Sequence, residues 1–463
     1  MTTLSLARRL TVARLSARIG DAWLDTCAVL SFLLSSFMAL TVSGGIWMFY
    51  RWAYFPSELN ATRAQYANDL WDVFTVYFVL ALFAGALLVI PIFSLASQAV
   101  RLGAQGRSER LASLRLIGTT RSQTIVISLA ETCIQWILGT AAGVGLYFLT
   151  LPLWNNVSFG GSPISYREMI LPLHFLLLLL LFLFLTALTS GIFGLMRVNI
   201  SPLGVAKKSS GKALSFWRLI ILLLVLIMFF VLVFTGVSPT REGILFQVII
   251  SVVSVSVILG ALSFAGGFIL QVCARLATYT HHTSVLIAAR RIIDRPVASW
   301  RSIGSISLLS FIGGFISFSI SWDDDTISII LNHDILTGVI ITIVFGFMIA
   351  ALSTFMNQAS EVCDRLPQTR ALKAMGFPAG IFGKIRIFQN FVPLLASTLL
   401  CAGLGRLISV TLASASRNSA SLMNNVEPFV WTLGGGICIC LLAILLVTPL
   451  ERKILKSLGR DND

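Results

Sequence analysis

Residues 107–131 read RSERLASLRLIGTTRSQTIVISLAE, a short basic stretch between two strongly apolar segments. Leu111, Leu114 and Ile117 recur among arginines at the spacing of one helix face, and Gly118 follows them where a helix C-cap is expected. The stretch therefore predicts a short amphipathic helix that interrupts a series of apolar segments.

Nearly the same pattern returns 258 residues later, where residues 369–389 read TRALKAMGFPAGIFGKIRIFQ. Leu372 matches Leu114, Lys373 matches Arg115, and Gly376 matches Gly118. A basic helix that occurs once in each half of the chain divides the sequence into two similar units.

The composition is that of a membrane protein. Hydrophobic residues make up 56% of the chain and charged residues only 12%, whereas soluble proteins carry about 25% charged residues. Apolar runs such as 171–188 and 219–237 are long enough to cross about 30 Å of hydrocarbon as helices. We therefore predict an all-α polytopic membrane protein, in which the net charge of +14 marks the cytoplasmic side and not a nucleic-acid partner.

Ten transmembrane helices are predicted, with both termini in the cytoplasm. The spans are 24–50, 71–100, 122–150, 169–196, 217–237, 244–272, 302–320, 335–357, 386–411 and 428–449. This topology leaves six of the 34 Lys and Arg residues on the outer side: Arg51, Arg63, Arg167, Arg241, Arg406 and Arg417. Such a bias favours the topology because basic residues concentrate in cytoplasmic loops.

The internal repeat predicts three regions. Residues 1–200 form a first four-helix unit that begins with an amphipathic elbow at 7–20, and residues 281–463 form a second unit with a similar elbow at 287–301. Residues 201–280 hold a basic linker, 201–212, and two extra transmembrane helices. Because each unit would begin and end in the cytoplasm, the two units are predicted to be parallel, related by an axis along the membrane normal.

Catalytic and cofactor motifs are weak in this sequence. The stretch GVAKKSSGK at 204–212 has six residues between its glycines where a P-loop has four, and no strand precedes it. The seven cysteines are scattered and indicate neither disulfides nor a metal site. We therefore expect a chain that is not itself an enzyme and holds no cofactor or metal.

Two features inside the spans have structural and functional interpretations. Glu131, in the third span, and its repeat mate Gln389 are intramembrane polar residues that either make a structural hydrogen bond or face a substrate path. Gly139 and Gly143 form a GxxxG pattern that permits close helix packing, either within the half or against a second copy of the chain.

The two basic helices are predicted to dock a soluble partner. Their apolar anchors would be Leu111, Leu114, Ile117, Leu372, Met375 and Phe377, with Arg110, Arg115, Arg370 and Lys373 as the charged rim. An amphipathic helix of this kind fits a groove on a soluble protein. The alternative is an interfacial helix that lies on anionic membrane lipid.

At these residues the sequence resembles the FtsX-like, MacB-type permeases of ABC transporters. The resemblance rests on Glu109, Leu114, Arg115, Leu116, Ile117, Gly118 and Glu131 in the first half. In the second half it rests on Thr369, Leu372, Lys373, Ala374, Met375 and Gly376. The ten-span arrangement is similar to that of bacitracin-exporter-type permeases.

The resemblance implies a permease subunit in a bacterial inner membrane that pairs with a separate cytoplasmic ATPase, which would bind ATP and Mg²⁺ as a dimer and grip the two basic helices. Family members also carry a large extracytoplasmic domain. Here the loops at 51–70 and 321–334 are too short for one, because a domain needs about 50 residues or more.

Three functions follow as hypotheses. The first is export or membrane extraction of an amphiphilic or hydrophobic compound, such as an antimicrobial peptide, drug or lipid, by mechanical coupling to the ATPase. The second is a non-transporting regulator of an extracellular enzyme or a sensor kinase, which would need an outer-face partner protein. The third, an ion-coupled transporter, is disfavoured because Glu131 is the one acid that the predicted spans bury.

Overall fold

The computed structural model describes most of the chain between residues 21 and 424. The described residues are 21–55, 62–64, 73–105, 120–199, 215–234, 244–316, 318–320, 326–364, 371, 375–376, 379–415, 422–424 and short pieces of 430–446. The predicted N-terminal elbow at 7–20 and the predicted linker at 201–212 lie outside them.

The described chain is almost entirely helical. Its helices are α1 (Asp21–Tyr54), α2 (Val73–Gln105), α3 (Arg121–Thr150), α4 (Leu173–Asn199), α5 (Trp217–Phe234), α6 (Ile244–Ala277), α7 (Thr283–Asp294), α8 (Pro296–Ile316), α9 (Thr326–Asp364) and α10 (Ala379–Ala415). Two small antiparallel ribbons join β1 (Ser158–Phe159) to β2 (Ser162–Pro163), and β3 (Phe318–Ile320) to β4 (Leu422–Asn424).

Six of the described helices contain a segment long and apolar enough to cross a membrane. These segments are Asp25–Tyr54, Ile125–Asn156, Leu173–Ile192, Val253–Ala277, His333–Ala359 and Gly383–Thr411. The chain is therefore a multi-pass helical membrane protein. Each predicted span before residue 416 coincides with a helix, whereas the tenth lies mostly outside the described residues, so the count of ten stays a prediction.

The helices alternate between two ends of the bundle. We call the end that carries the β1–β2 turn the hairpin end, and the end where α2 and α9 finish the basic end. The longest described helix, α9, has 39 residues and measures about 58 Å at 1.5 Å per residue. Since a bilayer core is about 30 Å thick, α9 extends well beyond the hydrocarbon.

Glycines of α3 allow it to pack directly on the backbone of α1. A Cβ atom placed at Gly139 would lie 2.6 Å from Cβ of Phe32, and one at Gly143 would lie 2.6 Å from the carbonyl oxygen of Leu33. Neither distance is tolerable for real atoms, so only glycine permits this approach. Both glycines of the GxxxG pattern therefore pack within the first half.

The second half repeats this contact between its own first and third helices, α8 and α10. Gly405 of α10 lies against the carbonyl of Phe311, and Gly314 of α8 lies against the carbonyl of Ala402. The Ser307 hydroxyl donates a 2.7 Å hydrogen bond to the Ser397 hydroxyl across the same interface. The α1–α3 and α8–α10 pairs thus make similar close contacts, whereas the predicted repeat and its unit boundaries stay predictions.

The two halves meet where α2 packs beside α9. Tyr77 of α2 donates a 2.8 Å hydrogen bond to Asp334 of α9, and Gln98 of α2 donates a 2.9 Å bond to Ser353 of α9. Residue numbers rise in the same direction along both helices, so α2 and α9 run parallel. Apolar residues fill the interface between the two bonds, among them the buried Leu88, Ile92 and Ile349.

The predicted elbow at 287–301 is divided between two helices. A break at Arg295, with φ −139° and ψ 63°, separates α7 from α8. Pro296 then occupies the first position of α8, where its missing N–H costs nothing. The apolar face of α7 is buried at Ala288, Ala289 and Ile292, and α7 packs on α6 and α10. This part of the elbow therefore packs its apolar face against other helices of the protein.

Two glycines of α3 provide a test of the close packing. We expect Gly143→Ala to destabilise the chain by about 1–3 kcal/mol, the usual cost of overpacking, because its methyl group collides with the α1 backbone. Gly145→Ala is the control, since a Cβ there meets nothing within 4 Å, and alanine favours a helix by about 1 kcal/mol over glycine. Thermal unfolding in detergent measures both, and equal melting temperatures would contradict the assignment.

Candidate functional site

Most of the predicted docking residues lie outside the described residues. They are Glu109, Arg110, Leu111, Leu114, Arg115, Ile117 and Gly118 in the first half, and Thr369, Arg370, Leu372, Lys373 and Phe377 in the second. Of the predicted set, the structure describes Met375 and Gly376, with Glu131 and Gln389 in the helices that follow. We call 107–118 and 369–377 the docking segments, and the structure describes mainly the residues that flank them.

In the first half, a complete capping box separates the docking segment from α3. The backbone N–H of Gln123 donates to the Thr120 hydroxyl at 3.4 Å, and the backbone N–H of Thr120 donates to the Gln123 side-chain oxygen at 3.0 Å. Such reciprocal bonds satisfy the first free donors of a helix and fix its start. A new helix thus begins at Arg121, three residues after Gly118.

In the second half, the docking segment contains a helical turn that finishes at Gly376. The N–H of Met375 donates to the carbonyl of Ala371 at 3.1 Å, the i to i−4 bond of an α-helix. Gly376 then has φ +87°, in the left-handed region that ends many helices. Met375 is 69% exposed, so its side chain is accessible at the basic end.

Glu131 and Gln389 occupy the same position in their helices. Each is the eleventh residue of its helix, α3 or α10, and each is buried. One turn beyond Glu131, the Gln135 side chain donates a 2.9 Å hydrogen bond to Asp25 of α1. Beyond Gln389, Pro393 has no N–H to donate to the Gln389 carbonyl. Both helices therefore carry buried polar groups a few turns from the basic end.

Arg386 is a buried cation near Gln389 that sequence reasoning did not single out. It is buried one turn before Asn390, whose side-chain amide donates to the Arg386 carbonyl at 3.0 Å. A sequence signal was available, because Arg386 precedes Gln389 by three residues and so shares its helix face.

A second buried polar cluster occurs at the hairpin end, around Arg63. This guanidinium is fully buried, lies 4.0 Å above the ring of Trp52, and donates to both carboxylate oxygens of Glu168 at 3.1 Å. It also donates to three backbone carbonyls, those of Phe159, Ser162 and Pro163. We call residues 62–64 and 151–172, which Arg63 joins, the cap.

The surroundings of Arg63 act on its charge in opposite directions. Burial lowers the pKa of Arg63 below its usual value, and the carboxylate of Glu168 opposes that effect. Because arginine stays protonated in proteins, the charge persists and needs all of these acceptors. From the sequence, Arg63 was predicted only as one of six outer-side cations, and its role in fastening the cap was not predicted.

Asp334 is a second buried acid, which corrects the expectation that Glu131 is the one available. Its side chain is only 2% exposed, and its Oδ2 atom accepts hydrogen bonds from the Tyr77 hydroxyl at 2.8 Å and from the Gly160 N–H at 2.6 Å. Asp334 was predicted to lie in an outer loop because the eighth span was predicted to begin at residue 335. In the structure α9 already begins at Thr326.

One family model matches part of this chain. Residues 92–202 match the family model described as FtsX-like permease C-terminal. The match runs from within α2 through the predicted docking segment at 107–118 to the end of α4. The resemblance to FtsX-like permeases is therefore confirmed over these residues, whereas its MacB-type details stay a prediction. No curated protein matches the chain.

The Arg63 cluster generates a test of the cap. We expect Arg63→Met to destabilise the cap by about 3 kcal/mol, near the lower end for a broken buried ion pair because Glu168 keeps 20% exposure. Limited proteolysis within 151–172 should then become faster.

The matched control is Arg167→Met, which removes an exposed arginine of the same loop. We expect it to change stability by less than about 0.5 kcal/mol. If the two variants were cleaved at the same rate, Arg63 would not be what holds the cap.

Proposed function

We propose that this chain, which carries an FtsX-like permease domain over residues 92–202, is the membrane subunit of an ABC transporter. In this proposal a separate cytoplasmic ATPase, acting as a dimer, binds ATP and Mg²⁺, and the chain itself catalyses no reaction. The transporter exports an amphiphilic or hydrophobic compound, or extracts it from the membrane. The chain is located in a bacterial inner membrane, with both of its termini in the cytoplasm.

The observation that carries the proposal is the position of the family match. It includes the basic segment at 107–118 together with the ends of the two helices that flank it, α2 and α3. FtsX-like permeases generally pair with a cytoplasmic ATPase. A basic segment between two membrane helices is a suitable surface for that partner.

The long helices support mechanical coupling between the two ends of the bundle. Both α2 and α9 continue without a break from the hairpin end to the basic end, where each leads into a predicted docking segment. Movement of these segments by a partner would displace α2 and α9 as rigid bodies, since close-packed helices move as units.

The short loops support a ligand that is met within the membrane or at its surface. The described outer-side structure of the first half is the compact cap, with Phe159, Ile164 and Met169 buried in it. A compound that partitions into lipid reaches the helices without a large outer binding domain. An antimicrobial peptide, a drug and a lipid all have this property.

Substitution of the docking anchors tests the proposal. We expect Leu114→Asp and Leu372→Asp each to weaken binding of the partner ABC ATPase by about 2 kcal/mol, because an apolar anchor becomes a charge in a buried groove. Co-purification from membranes and ATP turnover of the complex measure the effect.

Thr283→Asp is the control, since it adds the same charge at an exposed position where α7 begins. It should leave ATPase binding unchanged. Full binding and turnover in the double variant Leu114→Asp, Leu372→Asp would rule out these segments as the docking surface.

A further inference from the structure

The cap of the first half lies along one face of α9, a helix of the second half. The contacting positions of α9 are separated by four, four and seven residues, intervals that keep them on one helix face. In order along α9 they are Ile330 beside Gly161, Asp334 bonded to Gly160, Gly338 beside the Phe159 ring, and Phe345 beside the Trp154 ring. The cap therefore follows α9 for about 15 residues, or roughly 22 Å.

Asp334 is the polar member of this otherwise apolar face. One of its oxygens, Oδ2, accepts from both the cap and α2, through the Gly160 N–H and the Tyr77 hydroxyl. The exposed His333 imidazole lies 3.7 Å from the other oxygen, Oδ1. A single carboxylate thus joins three elements: the cap, α2 and α9.

The chemistry of this face permits only one register between the cap and α9. If α9 moved by one turn, about 5.4 Å, Ile330 or Gly338 would come to the position of Asp334. Neither side chain accepts a hydrogen bond, so the Gly160 N–H would remain buried without an acceptor. Hydrogen bonds are lost beyond about 3.5 Å, so even a shift of 1 Å strains the contact.

We propose that Asp334 is a positioning residue that fastens the cap of the first half to α9 of the second half, so that displacement of α9 along α2 moves the cap. This deepens the proposed function, on which it rests for the source of the displacement. The anchoring itself is a property of the chain alone and is testable without an ATPase.

Hydrogen exchange of the purified full-length chain tests the anchoring. In Asp334→Ala, we expect the peptide containing Gly160 to exchange at least about tenfold faster, because a buried N–H loses its acceptor. Asp334→Asn keeps one carbonyl oxygen and should recover part of the protection. Unchanged exchange in Asp334→Ala would overturn the proposal.

Two further variants separate anchoring from general unfolding. His333→Ala removes the exposed neighbour and should leave exchange at Gly160 unchanged. Tyr77→Phe removes one hydroxyl and keeps the ring, so it should raise exchange a few-fold in the cap while helices far from the cap keep their protection. Uniform acceleration over the whole chain would show a structural role only and would refute the proposal.

A double-mutant cycle tests transmission along α2 and α9. Gln98→Leu breaks the bond to Ser353 at the far end of their interface. We expect it to change cap exchange when Asp334 is present and to have no effect in Asp334→Ala. Additive effects would refute transmission through Asp334, whereas absence of ATPase binding by the intact chain would refute only the proposed function as the source of movement.

Discussion

Inside a bilayer, apolar surface gives helices little reason to associate, so close backbone contact and a few buried hydrogen bonds must hold the bundle together. This protein uses both. Gly139 and Gly143 bring α3 onto α1, and Gly405 brings α10 onto α8. Each half is thereby built on a contact between its first and third helices, which leaves the second helices, α2 and α9, to meet at the interface between the halves.

That interface combines an apolar centre with polar contacts at two levels. Tyr77–Asp334 and Gln98–Ser353 lie about 20 residues apart along each helix, or roughly 30 Å. Because a buried donor or acceptor is costly to leave without a partner, such bonds specify the register of the two helices more sharply than apolar packing does. The apolar centre between them adds close-packed contact area.

The sequence predicted most of the helices but little of their association. Long apolar runs locate the spans because the bilayer dictates their length and composition. The charged residues Arg63 and Asp334 can also be read directly from the sequence. Their roles were not predictable, since Arg63 meets Glu168 across 105 residues and Asp334 meets Tyr77 across 257. Helical periodicity reports which residues share a face, but it does not identify the element that covers that face.

The cap explains how a permease-like bundle keeps an ordered structure over residues 151–172 at its hairpin end. A large outer domain would have its own core, whereas the cap of about 25 residues is too small for one. The membrane helices stabilise it through three contacts: Arg63 on the Trp52 ring of α1, the Tyr147 hydroxyl of α3 that donates to the Met169 carbonyl at 2.6 Å, and the face of α9. A segment that depends on helices of both halves must respond when those halves move relative to each other, which an independently folded domain on a flexible connection need not do.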